Sequence, residues 1–143
     1  HPEMGHIPVP RDRDRDPYEG CCPYHGDCLE GLACGTALRD RWGVPAEELP
    51  PDHDAWALEA EYLGSALATF ILTLSPQRVL LGGGVMDQQH LFPRVRRETA
   101  RILEGYLKIP ELHEDLDTFI VPPGLGSRAG ICGALALAES AAA

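Results

Sequence analysis

Cys22-Pro23-Tyr24-His25-Gly26-Asp27-Cys28 sets Cys22, His25 and Cys28 at even spacings of three inside one short turn. A further imidazole, His6, lies upstream across a charged, proline-bounded loop. Two thiolates and two imidazoles complete a tetrahedral zinc set, leaving no position for water or substrate. Such a site is a structural staple, separate from any reaction chemistry. Gly20, Pro23 and Gly26 interrupt any helix here, so burial on a periodic face does not account for the cluster. Cys21 stands next to Cys22 and could take its place; the even spacing favours Cys22. Five cysteines is an odd number, no secretory leader is read, and a reducing cytoplasm is expected rather than a disulfide framework.

A second place for chemistry is Arg78-Val79-Leu80-Leu81 running into Gly82-Gly83-Gly84-Val85. A short apolar strand feeding a glycine turn and then a helix lets backbone approach a phosphate or an adenosine, because glycine has no Cβ and tolerates positive φ. The Gly-Lys-Ser/Thr ending of a P-loop and the GxGxxG spacing of a dinucleotide site are both absent. By itself the turn reads equally as a tight connection without ligand. Gly124 to Ser127 form a second candidate ligand loop. Gly130 and Gly133 are expected to let the last helix pack closely.

These groups must be positioned by an α/β arrangement. A helix is expected from Leu29 to Trp42, ended by Gly43 and Pro45. The strongest helix covers about 53–74, capped by Asp52 or Asp54 and stopped by Pro76. Leu58, Tyr62, Ala66, Phe70 and Ile71 form its buried stripe, and Gly64, Ser65 and Ala68 permit close packing. A helix follows the glycine turn over about 88–108. Phe119-Ile120-Val121-Pro122 is a second strand, and a small-residue helix from Ala129 to Ala142 closes the chain. Helices alternating with short apolar strands predict a sheet buried on both faces. The run Arg11-Asp12-Arg13-Asp14-Arg15-Asp16 has no apolar face and reads as a solvated, mobile loop.

Composition narrows the partners. Twenty-two Asp and Glu against 12 Lys and Arg, with Lys108 the lone lysine, argue against nucleic acid and anionic membrane surfaces. The longest apolar stretch, about 66–74, is too short to span a bilayer. The first residue is His1 rather than methionine, and the chain is expected to be the C-terminal part of something larger.

Together these segments resemble the ROK family of sugar kinases and sugar-responsive repressors. His1-Pro2-Glu3-Met4-Gly5-His6 is similar to its Glu-x-Gly-His segment, and Cys22 to Cys28 with Leu29-Glu30 to its zinc motif with the trailing Glu. Leu81 to Val85 is similar to its C-terminal glycine turn, and Ala129-Gly130-Ile131-Cys132-Gly133-Ala134 to its closing helix. The wording, with histidine replacing one usual cysteine, resembles the bacterial fructokinase branch. The resemblance implies an actin-like, ribonuclease-H-like sugar kinase fold of two lobes, with residues 1–28 as a zinc-binding segment and 29–143 as the C-terminal α/β lobe. It implies zinc on His6, Cys22, His25 and Cys28, and sugar hydroxyls on Glu3, Glu30 and also His6. Read alone, Glu30 also fits a first-turn acid favoured by the helix dipole, the lesser of its two readings.

Thr36, Gly83, Gly84, Val85, Met86 and Gln88 would line the adenosine side of ATP, Thr36 standing where related fructokinases often carry proline. The implied reaction is magnesium-dependent phosphorylation of a hexose, most directly fructose, by a cytoplasmic homodimer. The family's Asp-x-Gly-Gly-Thr phosphate segment and its Asn-Asp motif with the catalytic aspartate are absent here, so this polypeptide is expected to be inert alone. Competing readings are the sugar-sensing part of a repressor, or a stand-alone zinc-stabilised binding domain pairing through the 53–74 helix.

Overall fold

The computed structural model describes residues 2–113 and 115–142, so His1 of the opening motif lies outside the described residues. Seven helices are described: α1 Leu29–Leu32, α2 Gly35–Trp42, α3 Ala55–Leu74, α4 Leu91–Leu103, α5 Pro110–His113, α6 Leu116–Phe119 and α7 Ala129–Ala142. Two short strands, β1 Val79–Leu80 and β2 Ile120–Val121, pair in parallel, with Val79 opposite Ile120 and Leu80 opposite Val121.

The centre of the molecule is α3 against α4. They approach closely because residue 64 is glycine: a Cβ there would stand 2.6 Å from Glu98 Cβ. α3 serves two apolar clusters at once. Trp56, Ala60, Leu67 and Ile71 join Leu38, Leu91, Val95 and Ile120 in the larger core. Tyr62 and Ala66 turn the other way and meet Val9 and Leu32 beneath the N-terminal segment. The expected stripe is therefore only part of the buried surface, with Leu58 and Phe70 half-buried at its margins. At 20 residues α3 is, by length and composition, long and apolar enough to cross a membrane, contrary to the sequence expectation. Much of its apolar surface is nonetheless taken up by the protein's own two cores, Leu72 and Leu74 at its end remaining exposed.

Several expected boundaries move, each for a local reason. The helix expected over 29–42 is two helices, because Ala33 leaves helical geometry (φ −118°, ψ 58°) and Cys34 caps α2, its Sγ accepting from Ala37 N–H at 3.5 Å. α2 ends at left-handed Gly43, as anticipated. Asp54 does not cap α3 with its side chain; His53 Nδ1 instead accepts from Ala55 N–H at 3.1 Å. The helix expected over 88–108 stops at Leu103, since Glu104 (φ 45°) and Gly105 (φ 67°) both turn left-handed.

Two expectations fail more deeply. The strand pair is not covered on both faces: Leu80 is 66% exposed. On α7 none of the residues is buried, Ile131, Leu135 and Leu137 stand out in solvent, and a Cβ at Gly130 or Gly133 would meet nothing within 4 Å. Close packing of α7 is thus not what those glycines provide here. The Arg-Asp run is exposed over residues 12–15, as expected of a solvated loop, but its two ends are anchored. Asp16 is buried, accepts from the Tyr62 hydroxyl and takes two bonds from Arg41, at 3.0 and 3.1 Å. Arg11, buried beside it, donates to Asp27 Oδ2 at 3.1 Å. Asp12 Oδ1 accepts from Asp14 N–H at 2.9 Å and folds the run into an Asx turn. Arg11, Arg13, Arg15 and Asp16 each pair with a residue beyond the run, whereas the Asp12 carboxylate bonds the run's own backbone.

Candidate functional site

The cysteine turn folds on itself before any ion is considered. Cys22 and Gly26 exchange backbone bonds, Gly26 N–H to Cys22 O at 2.9 Å and Cys22 N–H to Gly26 O at 3.2 Å. Leu29 N–H donates to Ile7 O at 2.9 Å, which brings the His6 segment beside Cys28. The result gathers one donor atom from each of His6, Cys22, His25 and Cys28, all within 4.8 Å of one another. Cys22 Sγ lies 3.8 Å from His6 Nδ1 and 3.7 Å from His25 Nδ1, and Cys28 Sγ lies 3.6 Å from His6 Nδ1.

The electrostatics of the cluster suit a cation. Backbone N–H groups of His25 and Tyr24 draw the Cys22 thiol down to about 7, preparing a thiolate. Burial pushes the Cys28 thiol up, and its neighbour Cys22 adds to this. A metal ion between the sulfurs would relieve that opposition. Of the adjacent cysteines, it is Cys22 whose sulfur stands in the cluster. Cys21 Sγ is turned away from the cluster and sits 3.5 Å from Cys34 Sγ.

Of the three residues expected at the sugar, His6 and Glu30 come together. His6 closes the 3-10 turn Met4–His6, Glu30 is the second residue of α1, and His6 Nε2 lies 3.8 Å from Glu30 Oε2. His6 thus faces the thiols with Nδ1 and a carboxylate with Nε2, an arrangement that orients a metal-ligating imidazole. Glu3 is exposed at the N-cap of the same turn, its carbonyl accepting from His6 N–H at 3.1 Å.

Thr36, Gly83, Gly84, Val85, Met86 and Gln88, far apart in sequence, line one cavity of about 800 Å³. Gly83 adopts φ 104°, ψ 170°, a conformation closed to residues with a Cβ, and a Cβ at Gly84 would meet nothing within 4 Å. The turn therefore presents bare backbone to the cavity. One expectation about it is corrected. A 3-10 turn, Gly84–Asp87, and three further residues separate the glycines from α4, so no long helix starts at the turn. Gly126 and Ser127 line a neighbouring cavity of about 370 Å³ that shares Gly82 to Gly84 with the first.

Glu59 escaped the sequence reading. It projects from α3 into the wall of the larger cavity, one turn before Leu63, and is 1% exposed. Burial holds its carboxyl up at about 8, with Arg41 acting in the opposite sense. The available signal was a glutamate at helical spacing between Trp56 and Leu63 on an apolar face.

Comparison with known proteins points to a single family. A putative fructokinase of Bacillus subtilis (strain 168) is 50% identical over 141 residues, covering 99% of this chain and 47% of that protein. A fructokinase of Zymomonas mobilis is 48% identical over 144 residues, covering 99% of this chain and 46% of its own length. A fructokinase of Pediococcus pentosaceus is 40% identical over 141 residues. The chain spans about half the length of the curated relatives it matches. The family model described as ROK family matches residues 1–141, which leaves only the last two residues outside it, and the chain belongs to the ROK family.

Proposed function

We propose that this chain is the C-terminal, sugar- and adenosine-binding part of an ATP-dependent hexose kinase that converts fructose to fructose 6-phosphate. The observation that carries the proposal is the convergence of Thr36, Gly83, Gly84, Val85, Met86 and Gln88 on one cavity, in a chain aligned throughout with fructokinases. On this reading the adenosine lies along the Gly83-Gly84 backbone. Glu3, His6 and Glu30 accept hydrogen bonds from sugar hydroxyls, carboxylates being strong acceptors for polyols. The phosphate-binding segment and the aspartate that takes the sugar hydroxyl proton belong to the half of the relatives' length that this chain does not cover. Magnesium accompanies the ATP phosphates.

Residues 1–28 serve as the zinc-binding segment, and 29–143 as a lobe of the actin-like fold. The donor distances suit the ion: bonds of ~2.3 Å to sulfur and ~2.05 Å to nitrogen put neighbouring tetrahedral ligands about 3.6 Å apart. Three of the sulfur–nitrogen separations are 3.6 to 3.8 Å, in a set whose donors all lie within 4.8 Å of one another. With four protein ligands the zinc is closed and structural, and it takes no part in phosphoryl transfer. A cytoplasmic homodimer completes the reading; Leu72 and Leu74, exposed at the end of α3, offer apolar surface for an interface.

The test is ADP release by the full-length protein. Fructose-dependent release with MgATP, and none from residues 1–143 alone, is the expected result. A full-length protein that releases no ADP with any hexose overturns the proposal. Sedimentation at micromolar concentration checks the dimer.

A further inference from the structure

Glu59 is a buried acid with an unsatisfied hydrogen-bond acceptor. Its side chain is 1% exposed, and Oε1 has no hydrogen-bond partner among the described residues. The cation it feels, Arg41, is committed elsewhere: its donors go to both carboxylate oxygens of Asp16 and to Leu32 O. Leaving a polar atom buried and unpaired is unfavourable, and folded proteins satisfy nearly all such groups. An apolar side chain of the same size would remove the penalty. The position of the carboxyl shows what offsets it. Glu59 lines the same cavity as Thr36, Gly83, Gly84 and Met86, between the apolar walls of Leu63 and Leu81.

We infer that Glu59 is a nucleoside-contacting residue, its free Oε1 completing a hydrogen bond with a hydroxyl or amine on the nucleoside half of the bound triphosphate. This rests on the nucleotide reading of the cavity given above. A hydroxyl satisfies a carboxyl oxygen in either protonation state, and an amine donates to its carbonyl oxygen. In a low-dielectric wall such a bond counts for more than it would in water. The same group left without ligand is a local conflict in the fold, as expected where function rather than stability sets the residue.

The experiment uses the full-length kinase with Glu59→Met, similar in length and apolar, and Glu59→Gln, of equal shape. Melting temperature of the nucleotide-free protein and KM for MgATP and for fructose are measured for each. Glu59→Met is expected to melt at or above the wild-type temperature. Its KM for MgATP rises about tenfold, as for one lost buried hydrogen bond, while KM for fructose stays within twofold. Glu59→Gln raises KM for MgATP about threefold to fivefold. A folded Glu59→Met variant whose KM for MgATP stays within twofold of wild type overturns the role of Glu59, whereas Glu59→Gln keeps an acceptor oxygen and is the milder variant. A wild-type protein that neither binds nor turns over MgATP overturns the reading of the cavity, and the role of Glu59 with it.

Discussion

The metal loop and the glycine cleft are both built from turns, yet they treat their polar groups in opposite ways. Around the loop, charges close on one another: Asp16 with Tyr62 and Arg41, Arg11 with Asp27, and four metal-type donors facing inward. Around the cleft, backbone at Gly83 and Gly84 faces open space, and Glu59 keeps a buried oxygen without partner. The loop region closes on itself apart from the buried Arg11 Nε, and with an ion bound it would act as structure. A region left unsatisfied is shaped for something outside the chain. Closure of the four-donor cluster and openness of the cleft are thus two outcomes of the same accounting of hydrogen bonds.

The largest effect should come from opening the loop. Cys28→Ser is expected to lower metal content, melt the N-terminal segment and cost several kcal/mol. Cys21→Ser, whose thiol points to Cys34, should leave metal content unchanged. Equal metal loss in both, read by elemental analysis, would erase the distinction drawn between the two cysteines.

Next in size is the buried charge network. Asp16→Ala strips Arg41 and Tyr62 of their shared acceptor, and about 3–5 kcal/mol of stability should go with it. Burial alone would raise the Asp16 carboxyl, but the bonds from Tyr62 and Arg41 outweigh it and hold it below its ordinary range. Its contribution is therefore present above the unfolded value near 3.8 and is lost as pH falls through the lower folded value. Acid titration of wild type against Asp16→Ala checks this; parallel curves would remove Asp16 from the account.

In the cleft the sign reverses. The Glu59 carboxyl is raised from 4.5 to about 8 in the folded protein, so the fold binds its proton more tightly than the unfolded chain. Stability from this residue declines as pH climbs from about 5 to about 8. Glu59→Met should gain on wild type by a few kcal/mol across that window in chemical denaturation without nucleotide. A constant difference would mean the carboxyl is not buried as described.

The smallest effects separate two neighbouring glycines. Gly83→Ala meets a forbidden conformation and should cost about 1–3 kcal/mol. A Cβ at residue 84 meets nothing within 4 Å, so Gly84→Val is expected to leave the melting temperature within a degree or two while filling the cavity and weakening MgATP binding in calorimetry. Equal destabilisation by both would contradict the open backbone at residue 84.

Local chemistry was legible in the linear chain wherever one short segment carries the whole signal. Cys22, His25 and Cys28 declare a metal set by type and spacing, Gly43 a helix end, Gly64 a close helix approach, and Gly82 to Gly84 a bare turn. Tertiary structure alone decided the rest, because each remaining answer depends on a partner distant in sequence. Only folding turns Cys22 inward and Cys21 toward Cys34, closes the Arg-Asp run onto Arg41 and Tyr62, and leaves α7 outside the core. Only folding, too, brings Glu59 to the wall that residues 83 and 84 share. Periodicity records which side chains favour burial. It cannot record which polar atom will find a partner there, since that is settled by where the other end of the hydrogen bond arrives.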